Sequence, residues 1–413
     1  MTVSRLAFTP LQYIGWGSLE RLRAEVEKFA PSRILIVTDV VLVNLGIIEP
    51  ISSQLKAHGY YVDLYTDTVP EPTLAVGEEL VGYTRDGRFD LIIGIGGGSA
   101  MDLAKLAAVL AENTGPVADY LNLTGTKKPL RKGLPKILIP TTSGTGSEVT
   151  NIAVLSLANT KDVVTHDYLM ADAAIVDPQL TLSVPPRVTA ATGLDALTHA
   201  IEAYVSANAN PFTDGLALQA IRLIGGALRN AVNNGQDRQA RIDLSYGSNM
   251  AGIAFFHAGV AGVHALAYPL GGRFHLSHGE SNAVLLPYVM GYIRSHCVKP
   301  MSHICLAMGG CASDIPKEEA SRKCVEELVR LVRDVGIPNT LRGFQIPADA
   351  MDDLTEDGVR QTRLLARSPM VLTKADIRFI YQSAYDGVMT EPGGHSGRDE
   401  ARRGYHRDEE LTE

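Results

Sequence analysis

Residues Asp90–Lys105, which read DLIIGIGGGSAMDLAK, decide the fold predicted for this chain. The first half is an apolar run rich in β-branched residues, as is typical of a strand buried on both faces of a sheet. Glycines follow it, and 99–110 has the pattern of a helix with Ser99 as its predicted N-cap. A buried strand that passes through glycines into a helix is typical of a parallel α/β sheet.

The alternation of strand and helix continues on both sides of this stretch. Strands are predicted at 33–39, 60–66 and 136–140, and helices from the end of the first strand to about His58 and over 74–85. This β-α-β-α-β order predicts a parallel sheet covered on both faces. Residues 151–177 have the pattern of two antiparallel strands, in NIAVLSL and KDVVTH, and a further strand in AAIVD.

The pattern changes at Ser183–Pro186, which we interpret as a hinge between domains. A chain of 413 residues exceeds what one hydrophobic core usually supports. We therefore predict an α/β nucleotide-binding domain over 1–184 and an all-α domain over 185–413, of which 391–413 is a polar tail. Helices are predicted over 190–206, 215–231, 240–264, 317–335 and 374–385.

Charge and composition exclude several classes of function. The formal net charge of −8 argues against a nucleic-acid partner, which would require a basic surface. The four cysteines fit no zinc-binding spacing and are expected to be reduced. Residues 250–272 carry no formal charge, but their histidines and glycines favour a buried helix over a membrane span. The first residues lack a secretory pattern, so a cytoplasmic protein is expected.

Two loops are candidates for binding a nucleotide. Gly94–Ser99 follows a strand and opens a helix, where glycines allow a phosphate to approach free backbone N–H groups. This spacing is not the standard dinucleotide pattern, because the third glycine is misplaced. TTSGTGSE, at 141–148, follows another strand and is rich in hydroxyl groups. Both loops fall at the carboxyl ends of strands, where open α/β sheets bind ligands. Nucleotide binding is therefore predicted.

Asp39 ends the first strong strand of the sequence. A carboxylate there can accept hydrogen bonds from the ribose hydroxyls of an adenosine, and it would repel a 2′-phosphate, which favours NAD over NADP. The same residue could instead cap the helix that follows, and the sequence leaves both roles open.

Two pairs of side chains are candidates for binding a metal. Asp195 and His199 are four residues apart in a helical stretch and so share a face, although such a pair often has a purely structural role. His264 is expected on the charge-free helix, and His278 in a loop before a glycine. One carboxylate and three imidazoles suit Zn(II) or Fe(II). Spacing alone does not exclude His257 or His275.

Four long segments, in order, show that the chain resembles the iron-containing (group III) alcohol dehydrogenases over nearly its whole length. They are GGGSAMDLAK at 96–105, PTTSGTGSE at 140–148, GLDALTHAIEAY at 193–204 and GVHALAYPLGG with HGESNAVLLP within 262–287. The resemblance implies a Rossmann-like N-terminal domain and a helical C-terminal domain, the dehydroquinate synthase-like architecture. A cleft between these domains is expected to hold NAD and Fe(II), with Zn(II) as the alternative.

The resemblance also implies roles for individual residues. The metal ligands of the family fall on Asp195, His199, His264 and His278. The dinucleotide contacts fall on Asp39, Gly97, Gly98, Ser99, Asp102, Thr141, Thr142, Thr145 and Lys161. His278 and Tyr268 are the candidate catalytic residues.

Two positions depart from the family. Many members have a histidine where this chain has Tyr268, and a phenol titrates far above an imidazole. Tyr268 therefore puts the usual proton relay in doubt. Some relatives with tyrosine there resemble hydroxyacid–oxoacid transhydrogenases. The family often has asparagine where this chain has Glu71.

The predicted function is NAD-linked, metal-dependent oxidation of an alcohol or reduction of an aldehyde, in a homodimer or higher homo-oligomer. A hydroxyacid–oxoacid transhydrogenase or hydroxyacid dehydrogenase of the same family is the first alternative. A dehydroquinate synthase or polyol dehydrogenase is less consistent with the glycine and histidine segments. A non-catalytic protein that binds NAD and metal is disfavoured by the complete ligand set.

Overall fold

A computed structural model describes residues 3–157 and 161–389. Its centre is a six-stranded sheet in which every paired strand is parallel, with strand order β1-β8-β5-β4-β2-β3. The remaining two strands, β6 and β7, form a separate antiparallel ribbon. The strands are β1 Gln12–Ile14, β2 Arg33–Val37, β3 Tyr61–Tyr65, β4 Leu91–Gly96, β5 Lys136–Pro140, β6 Ile152–Ser156, β7 Lys161–Thr165 and β8 Ala173–Val176.

Helices of the first half cover the sheet, and those of the second half form a separate helical unit. The helices are α1 Leu22–Glu27, α2 Val40–Asn44, α3 Ile48–Ala57, α4 Leu74–Gly87, α5 Gly98–Leu110, α6 Pro186–Val205, α7 Pro211–Asn233, α8 Arg238–Ala258, α9 Gly262–Phe274, α10 His278–Ile293, α11 Val298–Ala307, α12 Lys317–Asp334, α13 Met351–Val359, α14 Thr362–Leu365 and α15 Lys374–Asp386.

The apolar core follows this division. Alternate residues of β2 point to opposite faces of the sheet: Leu35 packs with α4 and α5, whereas Ile34 packs with α1 and α3. A third cluster lies wholly within the helical half. The predicted combination of a doubly covered parallel sheet with a helical half is therefore confirmed. The boundary at 184/185 stays a prediction.

Several predicted elements differ from the structure. The predicted helix before His58 is two helices, which separate at Leu45–Ile47, where Gly46 adopts a φ of 73°. By contrast, the strand predicted in AAIVD is present as β8, which pairs in parallel with β5 and β1. The short edge strand β1 was missed, because its three residues carry little periodic signal.

The predicted helix over 240–264 is wrong. It breaks after Ala258, where Gly259 has a φ of 81°, and α9 leaves at 104° to α8. This bend sets the start of α9 apart from α8 and so positions His264. His278 is also not in a loop, because it is the first residue of α10, with Ser277 as N-cap. Glycine breaks of this kind are hard to see within a continuous apolar run.

Among the described residues, no single helix is long and apolar enough to cross a membrane. The bent pair α8 and α9 passes that test only when its two helices are taken together. The histidines of the polar tail, His395 and His406, lie outside the described residues.

Backbone packs directly on backbone where the helical half meets the sheet. Gly146, in the loop after β5, lies against Gly252 of α8, and a side-chain carbon at Gly252 would come within 2.9 Å of the Gly146 Cα. Beside this contact the Asn249 amide donates to the buried Glu148 carboxylate at 3.0 Å. The loop predicted to bind nucleotide is thus also the loop that holds the two halves together.

Candidate active site

One cleft of about 380 Å³ lies between the sheet and the helical half. From the sheet side, Gly98, Ser99, Asp102, Thr145 and Lys161 line it. From the helical side it is lined by His199, His264, Tyr268 and His278. The fold therefore brings the two predicted half-sites to one cavity, although they are separated by about a hundred residues of chain.

The end of the cleft that is predicted to bind phosphate is built at the start of α5. Gly97 is the N-cap of this helix, and no side chain caps it, so its first N–H groups have no side-chain acceptor. The prediction of Ser99 as N-cap is wrong, since Gly97 is extended and Ser99 already lies in the first turn. Thr145 packs over Gly98, where a side-chain carbon would lie 2.7 Å from the threonine methyl.

Asp39 does cap the helix that follows it. One carboxylate oxygen accepts from the Leu42 N–H at 2.9 Å, and the other lies beside Gly96 at the end of β4. The capping role that the sequence left open is therefore real. The second oxygen remains at the carboxyl edge of the sheet, where it can accept another hydrogen bond.

The other residues predicted to contact the dinucleotide differ in how many of their polar atoms are already paired within the protein. The Asp102 carboxylate is fully used, because it accepts from Ser147 Oγ at 2.5 Å, the Val154 N–H at 2.9 Å and Lys105 Nζ at 2.9 Å. Lys161, only 5% exposed, forms an ion pair with Glu71. Three further predicted residues, Gly97, Thr141 and Thr142, are not among those that line the cleft, and Thr142 lies against Gly97.

The four predicted metal ligands come together at the other end of the cleft. Asp195, His199, His264 and His278 each offer one ligand atom, and these atoms all lie within 4.8 Å of one another. Helix α6 carries the first two on one face, whereas α9 and α10 carry the others. The competing candidates lie elsewhere: His257 accepts from the Ala7 N–H, and His275 ends α9.

The electrostatics of this cluster suit a cation. Burial lowers the pKa of His199 to about 4, and burial also holds the pKa of His278 well below its usual value although Asp195 opposes the shift. Burial favours the protonated form of Asp195, but the neighbouring histidines and the Asn282 amide outweigh it, so its pKa is lowered. The result is a neutral His199 and a neutral His278 beside the Asp195 carboxylate, which is the protonation state that binds a metal.

One atom of a predicted ligand is buried without a hydrogen-bond partner, and this tests whether a metal fits. His199 Nδ1 is one of the few buried side-chain nitrogens in the described residues with no hydrogen-bond partner. Leaving such an atom unsatisfied costs about 1–3 kcal/mol. A cation would satisfy it, and the carboxylate and three imidazoles are a donor set typical of Fe(II) or Zn(II). The residues present therefore fit a divalent metal.

Sequence reasoning missed two residues that hold the ligands in place. Glu202 accepts from His264 Nδ1 at 2.6 Å and from the Val263 N–H at 2.6 Å. The same carboxylate therefore both orients the imidazole and caps the start of α9. The amide nitrogen of Asn282 donates to Asp195 at 2.7 Å and lies 3.1 Å and 3.2 Å from the His264 and His278 Nε2 atoms.

Both missed residues carried a weak signal in the sequence. Glu202 lies seven residues after Asp195 and Asn282 four after His278, so each shares a helical face with a predicted ligand. A carboxylate and an amide on otherwise apolar helices require partners. Phe255, which stacks on the His199 ring at 4.2 Å, carried no such signal.

Tyr268 lies one turn after His264 on α9, with its ring centroid 5.9 Å from that of His278. Burial raises the pKa of the phenol, while the positive charge of Arg363 acts against this rise. Within the described residues its hydroxyl makes no hydrogen bond, although it lines the cleft. The hydroxyl is therefore protonated and available to a ligand.

Comparison with known proteins agrees with this geometry. Residues 10–178 match the family model described as iron-containing alcohol dehydrogenase, and 189–385 match the C-terminal model of the same family. The chain is 65% identical to long-chain-alcohol dehydrogenase 1 of Geobacillus thermodenitrificans, over 95% of this chain and 99% of that one. It is 33% identical to the NAD-dependent methanol dehydrogenase of Bacillus methanolicus, over 91% and 98%.

Solved structures show the same fold. The alcohol dehydrogenase from Oenococcus oeni superposes with a TM-score of 0.88 at 31% identity, covering 93% of this chain and all of that one. Family models match most of the chain, and the relatives span nearly all of it. The chain therefore belongs to the iron-containing alcohol dehydrogenase family and is an oxidoreductase that acts on alcohols.

Proposed function

We propose that this chain interconverts primary alcohols and aldehydes with NAD(H), using a divalent metal bound by Asp195, His199, His264 and His278. The observation that carries the proposal is the convergence of the four ligand atoms on the cleft that also contains the open N-terminus of α5. Fe(II) is the proposed ion, by the name of the family, and Zn(II) accepts the same donors.

The chain supplies positions for both reactants. When bound, the divalent ion supplies Lewis acidity toward the substrate oxygen and the nicotinamide supplies the hydride acceptor. Glu202 holds the proton of His264 on Nδ1, which leaves Nε2 facing the cluster. Asp195 contributes the one negative charge among the four ligands.

The cofactor end of the cleft is proposed to bind the dinucleotide through the start of α5. A helix N-terminus binds phosphate through its free N–H groups and the positive end of its dipole. Glycines 97 and 98 leave room for that approach, and Ser99 and Thr145 offer hydroxyl groups. The free oxygen of Asp39 is proposed to accept from the adenosine ribose, which favours NAD over NADP.

Tyr268 is proposed to donate a hydrogen bond to the substrate oxygen. Its raised pKa keeps the phenol protonated at neutral pH, so it can donate a proton but is a poor base. Alcohol oxidation then requires another route for the proton, through water in the cleft.

The apolar part of the cleft wall suits an alkyl chain. Phe255, Phe256, Val260 and Leu364 line it, next to the cluster. The relative at 65% identity is a long-chain-alcohol dehydrogenase, and we propose that this chain likewise accepts aliphatic primary alcohols.

Metal analysis coupled to turnover tests the proposal. The purified protein is stripped with a chelator, reloaded with Fe(II) or Zn(II), and assayed for NADH oxidation with aldehydes from acetaldehyde to tetradecanal. We expect activity to return with metal and to scale with its content. Tight metal and NADH binding without turnover of any aldehyde would instead indicate a non-catalytic binding protein. Addition of a hydroxyacid and an oxoacid without free NAD tests transhydrogenation.

A further inference from the structure

Two arginines line the substrate end of the cleft without an acidic partner. Arg363 and Arg367 both contribute to its surface, from α14 and the turn after it. Neither guanidinium makes an ion pair or a side-chain hydrogen bond with any of residues 3–157 or 161–389. Most other arginines of the helical half do, such as Arg273 with Asp353 and Asp357.

Arg367 is the more buried of the two, and it is held in place. Its side chain lies against Gly259, where any side-chain carbon would overlap it. Its own carbonyl oxygen accepts from the Ala207 N–H at 2.9 Å, which anchors the backbone. A guanidinium has five N–H donors, and a half-buried one with none of them paired is unusual.

The place of Arg367 relative to the ligand cluster is fixed by α8. Phe255 stacks on the His199 ring. One turn after Phe255, the Gly259 N–H donates to the Phe255 carbonyl. Arg367 therefore packs against α8 roughly one helical turn, ~5.4 Å of axial rise, after Phe255, whose ring borders the cluster. The cleft that contains both the cluster and Arg367 has an apolar wall, which Phe256, Val260 and Leu364 line.

The unpaired charge of Arg367 is costly where it stands, whereas Arg363 is exposed to solvent. Burial, and then the neighbouring charge of Arg363, lower the pKa of Arg367. On the other side of the cleft the charges are balanced, since Lys161 pairs with Glu71. An anion bound between the two guanidinium groups would restore the hydrogen bonds and remove the repulsion.

We propose that Arg363 and Arg367 form a subsite for a carboxylate at the far end of the substrate, so that the enzyme prefers ω-hydroxy acids and the corresponding aldehyde acids with a short alkyl spacer. This inference rests on the proposed function, because the alcohol end is taken to lie at the Asp195 cluster. The apolar wall accepts the methylene groups, and the planar fork of Arg367 matches a carboxylate in a bidentate contact.

The experiment compares 6-hydroxyhexanoate with 1-hexanol, which has the same carbon number but no charge. In the metal-loaded enzyme we expect the kcat/KM ratio of acid to alcohol to exceed one. The ratio should fall at least tenfold in Arg367→Met and less in Arg367→Lys, which keeps the charge but loses the fork. A series from 4-hydroxybutyrate to 12-hydroxydodecanoate should show an optimum at intermediate length.

A matched control and a binding measurement separate charge recognition from general damage. Arg360→Met removes an exposed arginine of the same region, which is paired with Asp357, and should leave the ratio unchanged. Without catalysis, 6-hydroxyhexanoate should raise the Tm of the metal-free protein more than 1,6-hexanediol does, and Arg367→Met should abolish the difference.

An equal loss of kcat/KM for the acid and the alcohol in Arg367→Met would overturn the subsite. Arg367 would then only shape the wall of the cleft. A ratio below one in the unmodified enzyme, or Tm shifts that do not differ between the acid and the diol, would do the same. Failure of the proposed function is distinguishable, since neither 1-hexanol nor 6-hydroxyhexanoate would then be oxidised after metal reloading, whatever the Tm shows.

Discussion

The two ends of the cleft are built in opposite ways. The nucleotide end is made of short continuous segments, 94–99 and 141–148, each of which leaves a neighbouring strand of one sheet. The metal end is made of four side chains from three helices, spread over 195–278 and turned toward one another by the 104° bend between α8 and α9. The first is thus a local structure, whereas the second exists only in the folded chain. Substitutions at the two ends should therefore separate cofactor binding from metal binding.

The largest expected effect comes from removing a ligand. His264→Ala should abolish metal retention and turnover together, because it deletes one of four donors and leaves the Glu202 carboxylate buried without the imidazole. Metal content after dialysis and NADH oxidation measure this. His275→Asn is the matched control, since that histidine lies outside the cluster and asparagine tolerates its φ of 54°. Full activity of dialysed His264→Ala would show that the ligand set is wrong.

A smaller effect is expected when only the support of that ligand is changed. Glu202→Gln keeps the shape but loses the charge that fixes the proton of His264 on Nδ1. Metal affinity should fall about 10–100-fold, as is usual for such partners of metal-bound histidines. Competition with a chelator measures it. The NADH dissociation constant should not change, and an equal loss of both affinities would contradict the separation of the two ends.

The reciprocal test acts on the nucleotide end. Gly98→Ala would place a carbon 2.7 Å from the Thr145 methyl at the start of α5, so the approach of phosphate should be hindered. We expect about tenfold weaker NADH binding, ~1.4 kcal/mol, by fluorescence titration, with metal content unaltered. Gly82→Ala, an exposed-helix control where a side chain meets nothing within 4 Å, should leave both affinities unchanged.

The smallest effect on metal and NADH binding is expected in the sheet itself, at the end of β5 far from Thr141. Lys136 is fully buried, its ammonium makes no hydrogen bond, and burial lowers its pKa to about 8, although Asp172 opposes this. The unfolded chain, with its pKa near 10.5, binds this proton more tightly, so the free energy of unfolding should rise between about pH 8 and 10.5.

Lys136→Met should remove that rise and stabilise the protein at neutral pH, by an amount on the order of 1–3 kcal/mol. Denaturant unfolding at several pH values, with both proteins compared, measures it. Metal and NADH affinities should stay the same. A wild-type pH dependence that persists in Lys136→Met would mean that another group is responsible.

The nucleotide end could be predicted further than the metal end, because the first is local in the chain and the second is not. Strand 91–96, the glycines after it and the helix that they open are adjacent in the chain, so periodicity and turn chemistry located them to within a residue or two. The misplaced N-cap at Ser99 is an error of that size. The four metal ligands followed from a resemblance to a known family, because His264 and His278 had no local pattern that set them apart from His257 and His275. Their role as ligands, the cytoplasmic location and the homo-oligomer stay predictions.

The amino-acid sequence by itself determined the alternation of strand and helix, the two nucleotide loops and the class of metal donor, since these depend on periodicity, glycine and side-chain chemistry over short distances. Only the tertiary structure decided which groups face one another. It brought Glu202 into a hydrogen bond with His264 and the Asn282 amide into contact with three of the ligands. It also left Arg363 and Arg367 without an acidic partner beside an apolar wall. Such contacts depend on the angles between helices, as at the 104° bend between α8 and α9, where Gly259 adopts a positive φ.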